Sequence, residues 1–230
     1  MNAEMLAARV AEVREGIERA MQRAGRTGEV TLVAVTKTHP PEIVQAAIAA
    51  GLADVGENRV QEMEDKGAVV GRAAVRWHLI GHLQRNKAGK AVELADLVHS
   101  LDSLRLAEAL SKEAQRAGTT VDALVQVNTS GEESKFGLAA DEAVDVVARM
   151  AELPGLRLQG MMTMAPFTDD QAVVRRTFAA ARRLCDEAAR QVPALGRQLS
   201  MGMSNDYEIA VEEGSTLVRV GSTLFGERGR

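Results

Sequence analysis

The sequence predicts a (β/α)8 barrel preceded by an extra helix, and three observations carry that expectation. Short runs rich in Val, Ile and Leu alternate with longer amphipathic stretches along 230 residues, about the length typical of this architecture. Eight such runs can be counted, at 30–36, 53–56, 75–80, 97–100, 121–127, 156–161, 198–201 and 217–219. Several of them, 30–35 above all, are apolar on both faces, as parallel strands are when helices cover one side and the other is buried. Helical patterns fill the intervals at 41–50, 59–66, 104–117, 141–151, 170–191 and 206–213. An open doubly wound sheet is the alternative that the same alternation allows. No Gly/Ser/Pro linker, low-complexity tract or repeat divides the chain. Residues 1–230 therefore read as one domain, with a helix over 1–25 and the barrel over 30–230.

The opening helix is marked by Leu6, Val10, Val13, Ile17 and Met21, spaced by threes and fours on one face, and Gly25 closes it. In the first strand, period two places Thr31, Val33, Val35 and Lys37 on one face, with Leu32 and Ala34 on the other. Composition narrows the function classes. With 28 Lys and Arg against 32 Asp and Glu, the net charge is −4, which argues against wrapping DNA or coating an acidic membrane. Aromatic residues are 3% of the chain, with one Trp and one Tyr, so base stacking is not an expected mode of recognition. The lone Cys185 can form neither an internal disulfide nor a zinc cluster. No apolar stretch reaches the ~18 residues that span a bilayer, and residues 1–21 lack the apolar core of a signal peptide. A cytoplasmic protein is expected, with no nucleic-acid or membrane partner.

Three constellations could carry chemistry. Lys37 falls at the C-terminal end of the first strand, where barrel enzymes place their reactive groups. Partial burial there disfavours the ammonium and leaves a nucleophilic amine suited to a Schiff base; a lysine that snorkels to water before Pro40 is the plainer reading. The second constellation is the pair of loops after the seventh and eighth strands, Ser200-Met-Gly-Met-Ser204-Asn205-Asp206-Tyr207-Glu208 and Arg219-Val-Gly221-Ser222-Thr223. Asn205 and Glu208 suggest a capping box, and small hydroxyl residues beside exposed backbone N–H groups suit a phosphate, although Ser and Gly also simply cap and turn. Arg219 is the third: a cation between Val218 and Val220 must be paired, either in a salt bridge or with a ligand acceptor. His78 and His82 are four apart, but on a strand pattern without a zincin glutamate, so His78 reads as a core or rim histidine and no metal site is expected. Asn58 ends the second strand, where it either faces a ligand or caps a helix. Arg85-Asn86-Lys87 reads as a solvated helix start, and Met161-Met162-Thr163-Met164 closes a strand near the expected pocket.

Taken together, residues 33–40, Gly56-Glu57-Asn58, His78-Leu-Ile-Gly-His82-Leu-Gln84, 127–137 with Ser134-Lys-Phe-Gly, Gly160-Met-Met-Thr-Met-Ala165 and 201–227 resemble the pyridoxal-phosphate homeostasis protein family. Its fold is like the N-terminal barrel domain of alanine racemase. The resemblance spans nearly the whole chain in order, and implies pyridoxal 5'-phosphate (PLP) as the cofactor. It implies Lys37 as the Schiff-base lysine, Ser204, Gly221 and Ser222 in the phosphate loops with Thr223 as a further candidate, and Arg219 facing the pyridine nitrogen. Asn58 and Met203 fall on motif positions near the cofactor.

An arginine opposite the ring nitrogen donates a hydrogen bond and leaves that nitrogen unprotonated, which favours imine exchange and handicaps carbanion chemistry. Racemisation by two opposed bases also needs a second acid/base, supplied in alanine racemase by a tyrosine of a further domain. Here the sequence ends at Arg230, shortly after the last strand, and Tyr207 is expected on a helix beside the phosphate loop. The leading expectation is therefore a PLP carrier for homeostasis, without robust turnover and with PLP-dependent apo-enzymes as candidate recipients. The alternatives are a PLP-dependent racemase-like enzyme and a cofactor-free, aldolase-like Schiff-base enzyme acting on phosphosugars. No catalytic residue is assigned, and a monomer is the default with a dimer left open.

Overall fold

The computed structural model describes residues 2–131 and 136–226. Ser134 and Lys135 of the expected motif, and Glu227 at the end of the last one, lie outside them. The chain begins with helix α1 (Ala3–Arg23) and continues β1 (Thr31–Val35), α2 (Pro41–Ala49), β2 (Asp54–Glu57), α3 (Val60–Val70), β3 (Arg76–Leu79), α4 (Ala88–Leu94) and β4 (Leu97–Leu101). It then runs α5 (Leu104–Ala117), β5 (Val121–Asn128), β6 (Leu138–Ala139), α6 (Ala143–Ala151), β7 (Leu156–Met162), α7 (Gln171–Gln191), β8 (Gln198–Ser200), α8 (Tyr207–Glu212), β9 (Leu217–Val220) and α9 (Ser222–Phe225).

All strand pairings are parallel, in the order β4-β3-β2-β1-β9-β8-β7-β5, and β4 pairs with β5 to close the ring. The eight expected strands are the eight staves of the barrel, so the open-sheet alternative is excluded. The two-residue β6, which pairs with the end of β5, had no signal in the sequence because two residues show no period. Helix α4 is also additional to the expected set; a 3-10 turn at Arg85–Lys87 leads into it.

Burial follows the period-two pattern. Val33, Leu97, Leu124, Met162 and Leu217 meet inside the barrel. Leu32 and Ala34 point outward with Val218 and Val220 and are covered by Leu6, Val10, Val13 and Ile17 of α1. Asn2 caps that helix, its side chain accepting from the Glu4 N–H at 3.0 Å. Helix α1 thus seals the seam between β1 and β9, where the first and last staves meet. A larger apolar layer around Trp77 and Phe178 lies between the remaining strands and the outer helices.

The barrel wall is interrupted at β7, where the pairing with β5 shifts register between Ala123 and Leu124. Gly160 occupies this irregularity at φ +145°, and a Cβ there would lie 2.0 Å from the Gln198 carbonyl oxygen of β8. A side chain would demand both a disfavoured backbone and a displaced neighbouring strand. Gly160→Ala should lower the free energy of unfolding by more than about 2 kcal/mol. Urea midpoints check this, and an unchanged midpoint would contradict the packing at the β7–β8 seam.

Candidate functional site

The C-terminal ends of the staves open into a cleft of about 1190 Å³, lined among others by Lys37, Asn58, Met203, Ser204, Arg219, Gly221 and Ser222. Seven of the eight candidate cofactor residues therefore share one cavity. The eighth, Thr223, contributes its backbone: its N–H and that of Gly221 both donate to Ser204 Oγ, at 3.4 and 3.3 Å. Two loops from different staves are tied together at this point, as the sequence suggests. Gly221 makes the approach feasible, because a Cβ there would sit 3.2 Å from the Val35 carbonyl oxygen at the end of β1.

Local capping differs from the expectation. Asp206, not Asn205, precedes α8, and its carboxylate accepts from the Met203 N–H at 2.6 Å without capping the helix. The expected box does not form, because the helix starts one residue later than an Asn205 cap would set and has no side-chain cap. Tyr207 begins α8, but its hydroxyl packs against α1: a Cβ on Gly16 would lie 2.3 Å from that oxygen. Burial pushes the phenol pKa up, and its ring is not part of the cleft lining.

Strand β1 ends at Val35, so Lys37 stands two residues beyond it in a turn that carries unusual restraint. Thr38 adopts φ +66°, the left-handed region that a β-branched residue rarely occupies. Its N–H donates to Glu62 Oε2 at 2.6 Å. Lys66, buried behind the turn, donates to the Thr36 carbonyl at 2.8 Å and to Glu57 Oε1 at 2.7 Å, and reaches Glu62 at 3.4 Å. Thr36 Oγ1 also donates to Glu57 Oε1. This ammonium and its two carboxylates clamp the backbone on both sides of Lys37. Burial pushes the Glu57 carboxyl pKa up despite the Lys66 and Thr36 bonds. In Glu62 burial acts the same way, but the Thr38 N–H and Lys66 outweigh it and the pKa falls below its ordinary value.

Arg219 is buried, with 4% of its surface exposed. Its Nη1 donates to Ser200 Oγ and its Nη2 to the Thr163 carbonyl at 3.1 Å. Burial lowers its pKa to about 10, so the guanidinium stays charged at neutral pH. Among the described residues neutral acceptors hold the cation in place of a salt bridge, and it lines the cleft. Asn58 faces the cleft as well, and its helix α3 has no side-chain cap. His78 is a core histidine, whereas His82 sits at the rim with Asp102 at 3.1 Å and stacks on Phe136.

Sequence reasoning missed Glu57, Glu62 and Lys66 as a clamp, and His99 altogether. The clamp had only a weak signal, a Lys four residues after Glu62 on one helix. His99 had a better one, since it shares the inward phase of Leu97 in a strand where only Ser100 is otherwise polar.

The chain matches the family model "Alanine racemase, N-terminal domain" over residues 9–229. The pyridoxal phosphate homeostasis protein of Aquifex aeolicus is 40% identical over 222 residues, covering 96% of this chain and 97% of that protein. The chain belongs to the pyridoxal phosphate homeostasis protein family. Another member, from Escherichia coli K12, is 39% identical over 97% of both chains. Among solved structures, PipY of Synechococcus elongatus with PLP bound superimposes with a TM-score of 0.85 at 37% identity, covering 96% of this chain and 100% of that one. The resemblance that the motifs imply thus extends over the full barrel.

The charge states at the turn predict a pH dependence. A depressed carboxyl pKa in the fold contributes stability above the unfolded carboxylate range and loses it as pH falls through the folded value. Glu62→Gln should therefore destabilise the protein by about 1–2 kcal/mol at neutral pH. The gap to the unaltered protein should close below about pH 4. Urea unfolding across that range checks this, and a gap independent of pH would contradict the charged contact.

Proposed function

We propose that this chain binds PLP reversibly in the barrel mouth, as a carrier in PLP homeostasis, in the cytoplasm. The observation that carries the proposal is the convergence of three matched groups on one cleft. Lys37 stands just past the end of β1, Arg219 on the adjacent β9 with Gly221 directly after it, and Ser204 on the loop after β8. When bound, PLP supplies an aldehyde that a lysine amine can capture as an imine.

The residues present fit that molecule at each of its ends. The hydroxyls of Ser204 and Ser222 suit a phosphate dianion, beside the Gly221 and Thr223 N–H groups that here donate to Ser204 Oγ. Arg219, a donor without an acceptor, suits an unprotonated ring nitrogen and opposes protonation there. Asn58 and Met203 line the space between. The clamp around residues 36–38 fixes the backbone from which Lys37 reaches the carbonyl. Conspicuous exposure at the rim, with Phe167 96% and Phe136 57% exposed, leaves the bound group open to solvent and suits hand-over to PLP-dependent apo-enzymes.

A racemase-like activity is the second reading, favoured by His39 and His82 in the cleft lining. Against it, the Tyr207 hydroxyl packs on α1 and not over the mouth. Arg219 also lowers the ring's capacity as an electron sink. Among the described residues, no helix is long and apolar enough to cross a membrane.

The test is the visible spectrum of the PLP-loaded protein before and after borohydride reduction, with peptide mapping. Lys37→Ala should abolish the trapped adduct while weak PLP binding persists through the phosphate loops; a label on another lysine would refute the assignment. Incubating the loaded protein with single-enantiomer amino acids in deuterated water should give no sustained α-deuteration. Exchange at catalytic rates would replace the carrier reading with the enzyme one.

A further inference from the structure

A hydrogen-bonded chain of side chains runs through the barrel interior, from the mouth to its opposite end. Arg219 Nη1 donates to Ser200 Oγ. Ser200 Oγ lies 2.8 Å from His99 Nδ1, His99 Nε2 lies 2.8 Å from His78 Nδ1, and His78 Nε2 lies 2.8 Å from Asp54 Oδ1. Ser200, His99 and His78 are completely buried. The five residues come from five staves, β9, β8, β4, β3 and β2, so no local motif created the alignment.

Chemistry fixes the direction of this chain. A guanidinium only donates, so Ser200 Oγ accepts from Arg219. The serine's own hydrogen then goes to His99 Nδ1, which must be bare. The ring proton of His99 is left on Nε2 and is donated to His78 Nδ1. That places the His78 proton on Nε2, facing a carboxylate that only accepts. Both ends therefore demand the same order. In the reverse order, Ser200 Oγ would receive two donors and its hydrogen would find no acceptor among the described residues. The bare Nε2 of His78 would also face the Asp54 carboxylate. Burial, with Arg219 and His78 nearby, holds the His99 pKa well below the ordinary imidazole value, consistent with a single ring proton.

Asp54 is remote from the cleft. It is the first residue of β2, whereas Asn58, just past the last, lines the mouth. Four residues of strand separate them by about 13 Å. Besides His78, its carboxylate has Arg76 at 3.6 Å.

We propose that Asp54, acting through His78, His99 and Ser200, is a positioning residue for Arg219. The carboxylate locks one tautomer in each ring, so that the Ser200 hydrogen is always spent on His99 Nδ1 and never turns toward the guanidinium, which stays pinned between Ser200 Oγ and the Thr163 carbonyl. This role rests on Arg219 facing the ring nitrogen of PLP.

Two measurements test it. In the 15N-labelled protein without PLP, two-bond proton–nitrogen spectra should show His78 and His99 each protonated at Nε2 and bare at Nδ1. Asp54→Ala leaves only the Ser200 end to order the rings, so a second tautomer should appear beside the first and, after PLP loading, the visible absorbance maximum should shift. Asp54→Asn keeps an acceptor oxygen and should retain the tautomers with a smaller shift. His99 protonated at Nδ1 in the unaltered protein would overturn the proposal. A second tautomer with an unmoved absorbance would also overturn it, because Asp54 would then order the core without reaching Arg219. Should Asp54→Ala not fold, the absorbance of Asp54→Asn decides, a shift supporting the relay and its absence refuting it. Borohydride trapping on Lys37 in the same unaltered sample separates the two readings: without it, the cofactor assignment fails and takes this role of Asp54 with it.

Discussion

A guanidinium enclosed in the middle of a parallel barrel is the constraint that orders the rest of this structure. A buried cation without partners would cost several kcal/mol, so Arg219 forces its surroundings to supply acceptors. Ser200 and the Thr163 carbonyl do so without neutralising it. Had a carboxylate taken that place, the charge would be cancelled locally and the hydrogen-bond donors spent. With neutral acceptors the cation keeps its reach into the mouth. The interior is correspondingly divided, with Val33, Leu97, Leu124, Met162 and Leu217 packing beside a continuous polar chain.

Strand β2 shows how one short segment serves two networks. Alternate residues face opposite sides of a strand, so Asp54 and Gly56 point into the barrel while Val55 and Glu57 point outward. Asp54 begins the inner chain that ends at Arg219. Glu57 belongs to the outer clamp of Lys66 and Glu62, which holds the turn containing Lys37. The amine and the guanidinium are thereby positioned by polar groups on the two faces of the same four-residue stave. Lys66, on the helix side, holds the backbone of that turn and is not part of the cleft lining.

The openness of the mouth bears on what such a site does. Among the described residues, Tyr207 is held against α1, and the exposed Phe167 and Phe136 border the cleft. Water exclusion and a second base are what a demanding proton abstraction from carbon requires. Reversible capture of an aldehyde requires neither. An arginine at the ring nitrogen, as proposed for Arg219, would ease imine exchange and weaken the electron sink.

The sequence by itself determined the eight staves, the sealing helix and seven residues of the cleft, because strand and helix periods are local and the chemistry-bearing residues end strands or begin loops. Lys37, Ser204, Arg219 and Gly221 were legible for that reason. Tertiary structure alone decided the clamp and the polar chain. Glu57 and Lys66 are close in sequence but meet only because α3 folds back against β2, and His99 meets Ser200 across 101 residues, beyond any local window. Asn205 shows the converse, a local motif that does not form because the helix starts one residue later. Which polar side chain accepts from which donor is a question of distance in three dimensions. Only closure of the barrel sets those distances.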